Sequence, residues 1–185
     1  MRAATWVDRW NEVLHQWDQE TLQAVSESPF LKRLTPWFLV ATYLGDGYLW
    51  GGLALGLIFF GRPIDRTYVL MGVAISAVNI FVFRMFKILF RRERPTFVYF
   101  TLRSRLIDSH SFPSGHATTT FGLVWLIANA YPHLAVQLIA YGIAAMIGLS
   151  RIYLKEHYPL DVIGGALLGS AVSAYLLPML KAILF

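Results

Sequence analysis

Apolar residues fill five long stretches of this chain, and most of the charge collects in the short polar segments between them. A helix rises about 1.5 Å per residue, so roughly 20 apolar residues cross the hydrocarbon of a bilayer. Stretches near that length run from about Pro36 to Phe60, Tyr68 to Phe90, His116 to Tyr131, Leu134 to Tyr153 and Pro159 to Leu184. The third is the shortest. Ahead of them, between Thr5 and about Ser26, the residues Trp6, Trp10, Val13, Leu14, Trp17, Leu22 and Val25 recur mostly at helical spacing, with charges on the other side. That pattern predicts an amphipathic helix, either lying in the lipid interface on its tryptophans or packed against the rest of the protein. The expected fold is an all-α integral-membrane bundle with five to six helices in or on the membrane. It forms one domain over residues 1–185, with the amphipathic helix in 1–28 and the transmembrane bundle in 36–185.

Small residues recur four apart within the spans, at Gly52 and Gly56, Ala144 and Gly148, and Gly165 and Gly169. In lipid such pairs let helix backbones approach closely, and all three are expected at helix contacts. Two charges fall inside spans, Asp46 and Arg84. Buried charges in lipid pair or serve function, so the two are expected to meet each other; the alternative is that the first span begins later and leaves Asp46 in water.

Composition agrees with a membrane setting. Only 15% of residues are charged and 56% are hydrophobic, whereas soluble domains carry about 25% charged residues. The net charge of +5 sits between apolar runs, which suits phosphate-bearing lipids and anionic membrane surfaces and argues against a nucleic-acid partner. The absence of cysteine excludes disulfides, thiolate catalysis and cysteine-based zinc sites. The first residues carry Asp8, Arg9, Glu12, Asp18 and Glu20 without an uninterrupted apolar run, so no cleavable signal peptide is expected.

With five crossings, the ends of the second and fourth spans and the starts of the third and fifth share one membrane face. Every cluster of reactive residues falls there. The first is Lys87, then Arg91 and Arg94-Pro95; on a continuing helix Lys87, Arg91 and Arg94 share a face, making either a cradle for phosphate oxygens or a snorkelling basic belt. The second is Pro113-Ser114-Gly115-His116, a helix start that can bind an anion on its free N–H groups or simply be an N-cap. The third is Ser150-Arg151 followed by His157-Tyr-Pro-Leu-Asp161. Pro159 suits the first helical position, which puts Asp161 at the third, as a cap or as the carboxylate that fixes the His157 tautomer. By the positive-inside rule the crowded face, with Arg91, Arg92, Arg94, Arg103, Arg105 and Lys155, would be cytoplasmic, unless function holds those cations there.

In order and spacing the three clusters resemble the motifs of the type 2 phosphatidic acid phosphatase (PAP2) superfamily: Lys, six residues, Arg-Pro; then Pro-Ser-Gly-His; then Ser-Arg, five residues, His, three residues, Asp. No motif position departs from the pattern, and the apolar spans resemble the membrane branch of the family. The resemblance implies a lipid phosphatase without cofactor or metal. In it His157 attacks phosphorus and Asp161 orients it. His116 protonates the leaving group, while Lys87, Arg94, Ser114, Gly115 and Arg151 hold the phosphoryl oxygens. Arg91 and Arg92 would have only supporting roles. It also implies a lipid phosphate substrate of the undecaprenyl diphosphate, phosphatidylglycerophosphate, phosphatidate or lipid A class. The setting it implies is a bacterial inner (plasma) membrane, with the site facing the periplasm or exterior. Three other readings compete. A non-catalytic phosphate-lipid binder or transporter would need the cations but neither His157 nor Asp161. A vanadate-dependent haloperoxidase would use the same cradle. Zinc could draw on His110, His116, His157 and Asp161, although the neighbouring cations would repel a metal.

Overall fold

The structure, a computed structural model, describes residues 6–95 and 110–185; Arg103 and Arg105, counted above on the crowded face, lie outside the described residues. The described residues form helices without strands: α1 (Trp6–Glu27), α2 (Pro29–Lys32), α3 (Thr35–Tyr43), α4 (Leu49–Phe60), α5 (Pro63–Phe90), α6 (Gly115–Ala130), α7 (Leu134–Tyr153) and α8 (Pro159–Leu184). A π-helical turn (Leu44–Tyr48) joins α3 to α4. Gly47 takes φ 109° there, a left-handed geometry that glycine adopts without steric cost. The first apolar stretch is therefore one span with a break in its middle, and the break lies beside Asp46.

Four helical segments have the length and hydropathy to cross a membrane among the described residues: Thr35–Phe60, Pro63–Phe90, Leu134–Tyr153 and Pro159–Leu184. The remaining expected crossing, from about His116 to Tyr131, is not among these four. Helix α6 has 16 residues and falls short of that length, yet it is the centre of the bundle. It packs most extensively against α8, then against α7 and α5. Its Leu126 meets Met71 and Ile75 of α5 and Leu177 of α8 on one side. On another side its Val124 meets Ala140 and Ala144 of α7. A helix walled in by protein does not need a lipid-facing circumference.

Chain punctuation sets the helix ends. Gly61 leaves α4 with extended backbone, and Pro63 opens α5 at a position where the missing N–H costs nothing. That start is five residues earlier than hydropathy suggests, because Asp65 serves as a cap. Its carboxylate accepts from the Arg62 N–H at 2.7 Å and from the Tyr131 hydroxyl at 2.8 Å, tying the α5 start to the α6 end.

Close approach within lipid falls on one of the three small-residue pairs above all. A Cβ on Gly165 would lie 2.6 Å from the Ser114 carbonyl oxygen, and one on Gly169 would overlap the Thr118 carbonyl, so α6 and α8 touch backbone to backbone. Asn79 on α5 adds a polar tie, donating to Ser173 Oγ at 3.3 Å, which in a membrane contributes roughly 0.6 kcal/mol. Ala144 is fully buried, and Gly148 faces Val162. Gly52 and Gly56 do not behave as expected: a side chain there would meet open space, and α4 buries no residue at all.

Candidate active site

One end of the bundle collects the ends of α5 and α7 and the starts of α6 and α8, as crossing order predicts. Backbone bonds lock the junction: Ser114 N–H donates to the Asp161 carbonyl at 2.9 Å, and Glu156 and His157 N–H both donate to the Arg151 carbonyl, at 3.0 and 3.1 Å. Ser114 is the N-cap of α6, its hydroxyl accepting from Ala117 N at 3.4 Å. Gly115 begins that helix under the ring of Phe83, whose nearest carbon would be 3.0 Å from an added Cβ. Pro159 occupies the first turn of α8, and Asp161, at the third position, accepts from the Tyr158 N–H at 2.8 Å.

His157 is almost fully buried in the turn between α7 and α8. Its Nδ1 lies 3.7 Å from Asp161 Oδ2, beyond hydrogen-bond range. The hydroxyl of Ser111 stands between them. Ser111 Oγ is 3.3 Å from His157 Nδ1 and donates to Asp161 Oδ2 in a short hydrogen bond. The carboxylate thus reaches the imidazole through a serine rather than directly, a place for Ser111 that the motifs do not mark. Burial first, then the charges of Arg94, Lys87 and Arg151, hold His157 well below the usual imidazole value. The ring is a free base at neutral pH, with Nδ1 engaged and Nε2 on its opposite edge.

The cations gather around it. Lys87, nearly buried, donates to the His110 carbonyl at 2.7 Å. Arg94 Nη1 and Arg151 Nη2 both reach the Glu156 carboxylate, at 3.0 and 3.2 Å, and Arg151 also donates to Thr42 of α3. Glu156 thereby holds two guanidinium groups side by side. Arg91 leaves the group: α5 ends at Phe90, Arg91 turns into the left-handed region at φ 47° and stays exposed, so the helical face shared by Lys87, Arg91 and Arg94 does not continue. Arg92 enters instead. Its guanidinium bridges Asp161 Oδ1 at 2.8 Å and Asp18 Oδ2 at 2.5 Å.

His116, on the first turn of α6, faces an unexpected partner. Its Nε2 lies 2.7 Å from Asp46 Oδ1, although the ring N–H is not aligned on that oxygen. Gly45 permits the approach, since a Cβ there would sit 2.8 Å from the His116 ring. The expected Asp46–Arg84 pair is therefore replaced by Asp46–His116, and Arg84 is exposed on α5. Among the described residues no group of three or more His, Cys, Asp or Glu is placed to hold a metal ion. Ser111, Glu156, Thr42 and Asp18 were missed from sequence because no local pattern marks them, whereas Asp46 stands out as a charge within a span and only its partner was missed. Each acquires its place only through a contact made by folding.

The family model of the PAP2 superfamily matches residues 67–183. The chain is 29% identical over 126 residues to phosphatidylglycerophosphatase B of Bacillus subtilis (strain 168), covering 63% of this chain and 59% of that protein. It is 31% identical over 135 residues to undecaprenyl-diphosphatase of Sulfolobus acidocaldarius, covering 70% of this chain and 62% of that protein. It thus spans about three fifths of the length of the curated relatives it matches. Its fold is that of the crystal structure of a transmembrane PAP2-type phosphatidylglycerolphosphate phosphatase from Bacillus subtilis, with a TM-score of 0.72 at 24% identity over 92% of this chain and 88% of that one. The match runs through all three residue clusters that meet at the end of the bundle, and the chain belongs to the PAP2 superfamily.

Proposed function

We propose that this protein is an integral-membrane phosphatase that hydrolyses a phosphate or diphosphate ester carried by a lipid, through a phospho-histidine at His157. The observation that carries the reading is the buried imidazole of His157, backed by Ser111 and Asp161 and set among Lys87, Arg94 and Arg151.

A phosphomonoester carries about −1.5 to −2 charges at neutral pH. Phosphoryl transfer is largely positioning and electrostatic stabilisation, and fixed cations in a dry site supply both. In the first step Nε2 of His157 attacks phosphorus, the P–N bond forms and the P–O bond to the lipid breaks. The leaving oxygen takes a proton from His116. Burial of the ring and the charge of Arg151 oppose that proton, so it is the dianion of the bound substrate, together with Asp46 against the His116 ring, that offsets it before it is given up. In the second step water attacks phosphorus and gives its proton to His116. The P–N bond then breaks, inorganic phosphate leaves, and His157 is restored. Ser114 and the Gly115 N–H at the α6 start, with the three cations, hold the phosphoryl oxygens.

The site lies at the ends of membrane-length helices, so the headgroup of a lipid can enter while its tails stay in the bilayer. The names of the relatives support a lipid phosphate substrate of the phosphatidylglycerophosphate or undecaprenyl diphosphate class. The same reading puts the protein in the plasma membrane with the site opening to the periplasm or exterior. The site-end cations Arg92, Arg94 and Arg151 are committed to Asp18, Asp161 and Glu156 and do not report topology.

The test is phosphate release from phosphatidylglycerophosphate, undecaprenyl diphosphate and phosphatidate by purified protein in detergent with EDTA, beside His157→Ala. Turnover of at least one substrate by wild type, lost in the variant, is expected. Equal rates for the two proteins would leave only lipid binding or transport.

A further inference from the structure

Asp18 is a fully buried carboxylate in the middle of a largely exposed amphipathic helix, one turn before the buried Leu22, and the chemistry above makes no use of it. The tryptophan stripe of α1 stays outward: Trp6, Trp10 and Trp17 are all exposed, although the helix rests on the site end of the bundle. What turns inward, beside Leu22, is Asp18. Its Oδ2 receives Arg92 Nη2 at 2.5 Å, and its Oδ1 receives the backbone N–H of Leu160 at 2.9 Å. Leu160 lies in the first turn of α8, directly before Asp161. Arg92 gives its other terminal nitrogen to Asp161 Oδ1 at 2.8 Å and stacks over the Tyr158 ring, with its carbon 4.4 Å from the centroid.

Both oxygens of Asp161 are therefore held: Oδ2 by Ser111 and the Tyr158 N–H, Oδ1 by Arg92. Arg92 also has an alternative. It stands beside a cradle built to receive phosphate, and an arginine set only by Asp161 would be drawn to the dianion of the substrate. A buried second carboxylate on the far nitrogen removes that freedom. Burial works against the charge on Arg92, but Asp161 and Asp18 outweigh it, and the guanidinium is held above its usual value.

We infer that Asp18 is a positioning residue of the active site. From α1 it pins Arg92 onto Asp161 and the start of α8, and so keeps the Ser111–His157 arrangement in register for attack. The N-terminal helix then forms part of the catalytic assembly, although the family model begins only at residue 67. The inference rests on the proposed roles of His157 and Asp161.

The test measures kcat, KM and Tm with dioctanoyl phosphatidate in detergent for Asp18→Asn, Arg92→Ala and the double variant, with His157→Ala alongside. Asn keeps an acceptor for the Leu160 N–H and removes only the charge on Arg92. We expect Asp18→Asn to lower kcat by about ten- to a hundred-fold, the size of effect that follows from misplacing a reacting group, with KM changed by less than about two-fold. In the Arg92→Ala background the same substitution should leave kcat unchanged, whatever it does to Tm, because the two residues act as one unit. An undiminished kcat in Asp18→Asn overturns the inference, and so do losses that multiply in the double variant. Turnover by His157→Ala would instead overturn the phospho-histidine reading on which it rests. A dead His157→Ala beside a fully active Asp18→Asn removes the role of Asp18 alone.

Discussion

Helices α4 and α6 are both apolar segments rich in small residues, and the fold treats them in opposite ways. In α6 six residues are buried, and its neighbours on α8 come so close that Gly165 and Gly169 leave no room for a side chain. In α4 nothing is buried, and Gly51, Gly52 and Gly56 face open space. The more hydrophobic helix is thus the one outside the core. In a membrane, apolar character reports contact with lipid, while close packing is what holds helices together. The chemistry follows the packing: the candidate catalytic groups stand on α6, on α8, on the turn leading into α8, and on segments tied to them.

The contrast can be broken at five points. The largest effect is expected at the packed end, where His157→Ala should lower kcat by about 10⁴-fold or more, as loss of a nucleophile does; phosphate release checks it. Gly169→Val should force α6 and α8 apart and cost about 1–3 kcal/mol of stability, the usual range for overpacking, read as a fall in Tm in detergent. Acid should also weaken this end. Folded His157 stays unprotonated while the unfolded chain takes up a proton near 6.5, so its contribution to stability is full above that pH and is lost as pH falls. The slope is at most about 1.4 kcal/mol per pH unit, and Tm against pH should be flatter for His157→Gln than for wild type. Asp46→Asn should slow turnover by about ten-fold, a change of roughly 1.4 kcal/mol in the barrier, without altering Tm. At the other extreme, Gly52→Ala on α4 should change stability by less than about 0.5 kcal/mol and leave phosphate release intact.

Much of the site was legible because its residues sit at helix punctuation. Pro159 and Asp161 announce the start of α8 by their cap chemistry, and Ser114 does the same for α6. Those starts, together with the order of crossings, bring the three motifs to one end. What the pattern could not reveal is which side chains meet across elements. Asp46 looked like half of an intramembrane ion pair with Arg84, but the π-turn at Leu44–Tyr48 swings it toward His116. Arg91 looked like part of a helical face until the helix ended one residue before it. Gly52 and Gly56 have the spacing of a packing motif and no neighbour to pack on. The amphipathic stripe of α1 was visible in its tryptophans. Its buried Asp18 was not, since one acidic residue in a charged helix carries no mark of where it will point.

The central claim is that phosphorus passes through a bond to His157, and capturing that bond tests it most directly. Protein mixed with a lipid substrate carrying a labelled phosphoryl group and quenched within one turnover should bear the label in an acid-labile, alkali-stable linkage. Peptide mapping should find it on His157, and none on the His157→Ala protein. Label mapped to another residue, or equal labelling of His157→Ala, would contradict the account.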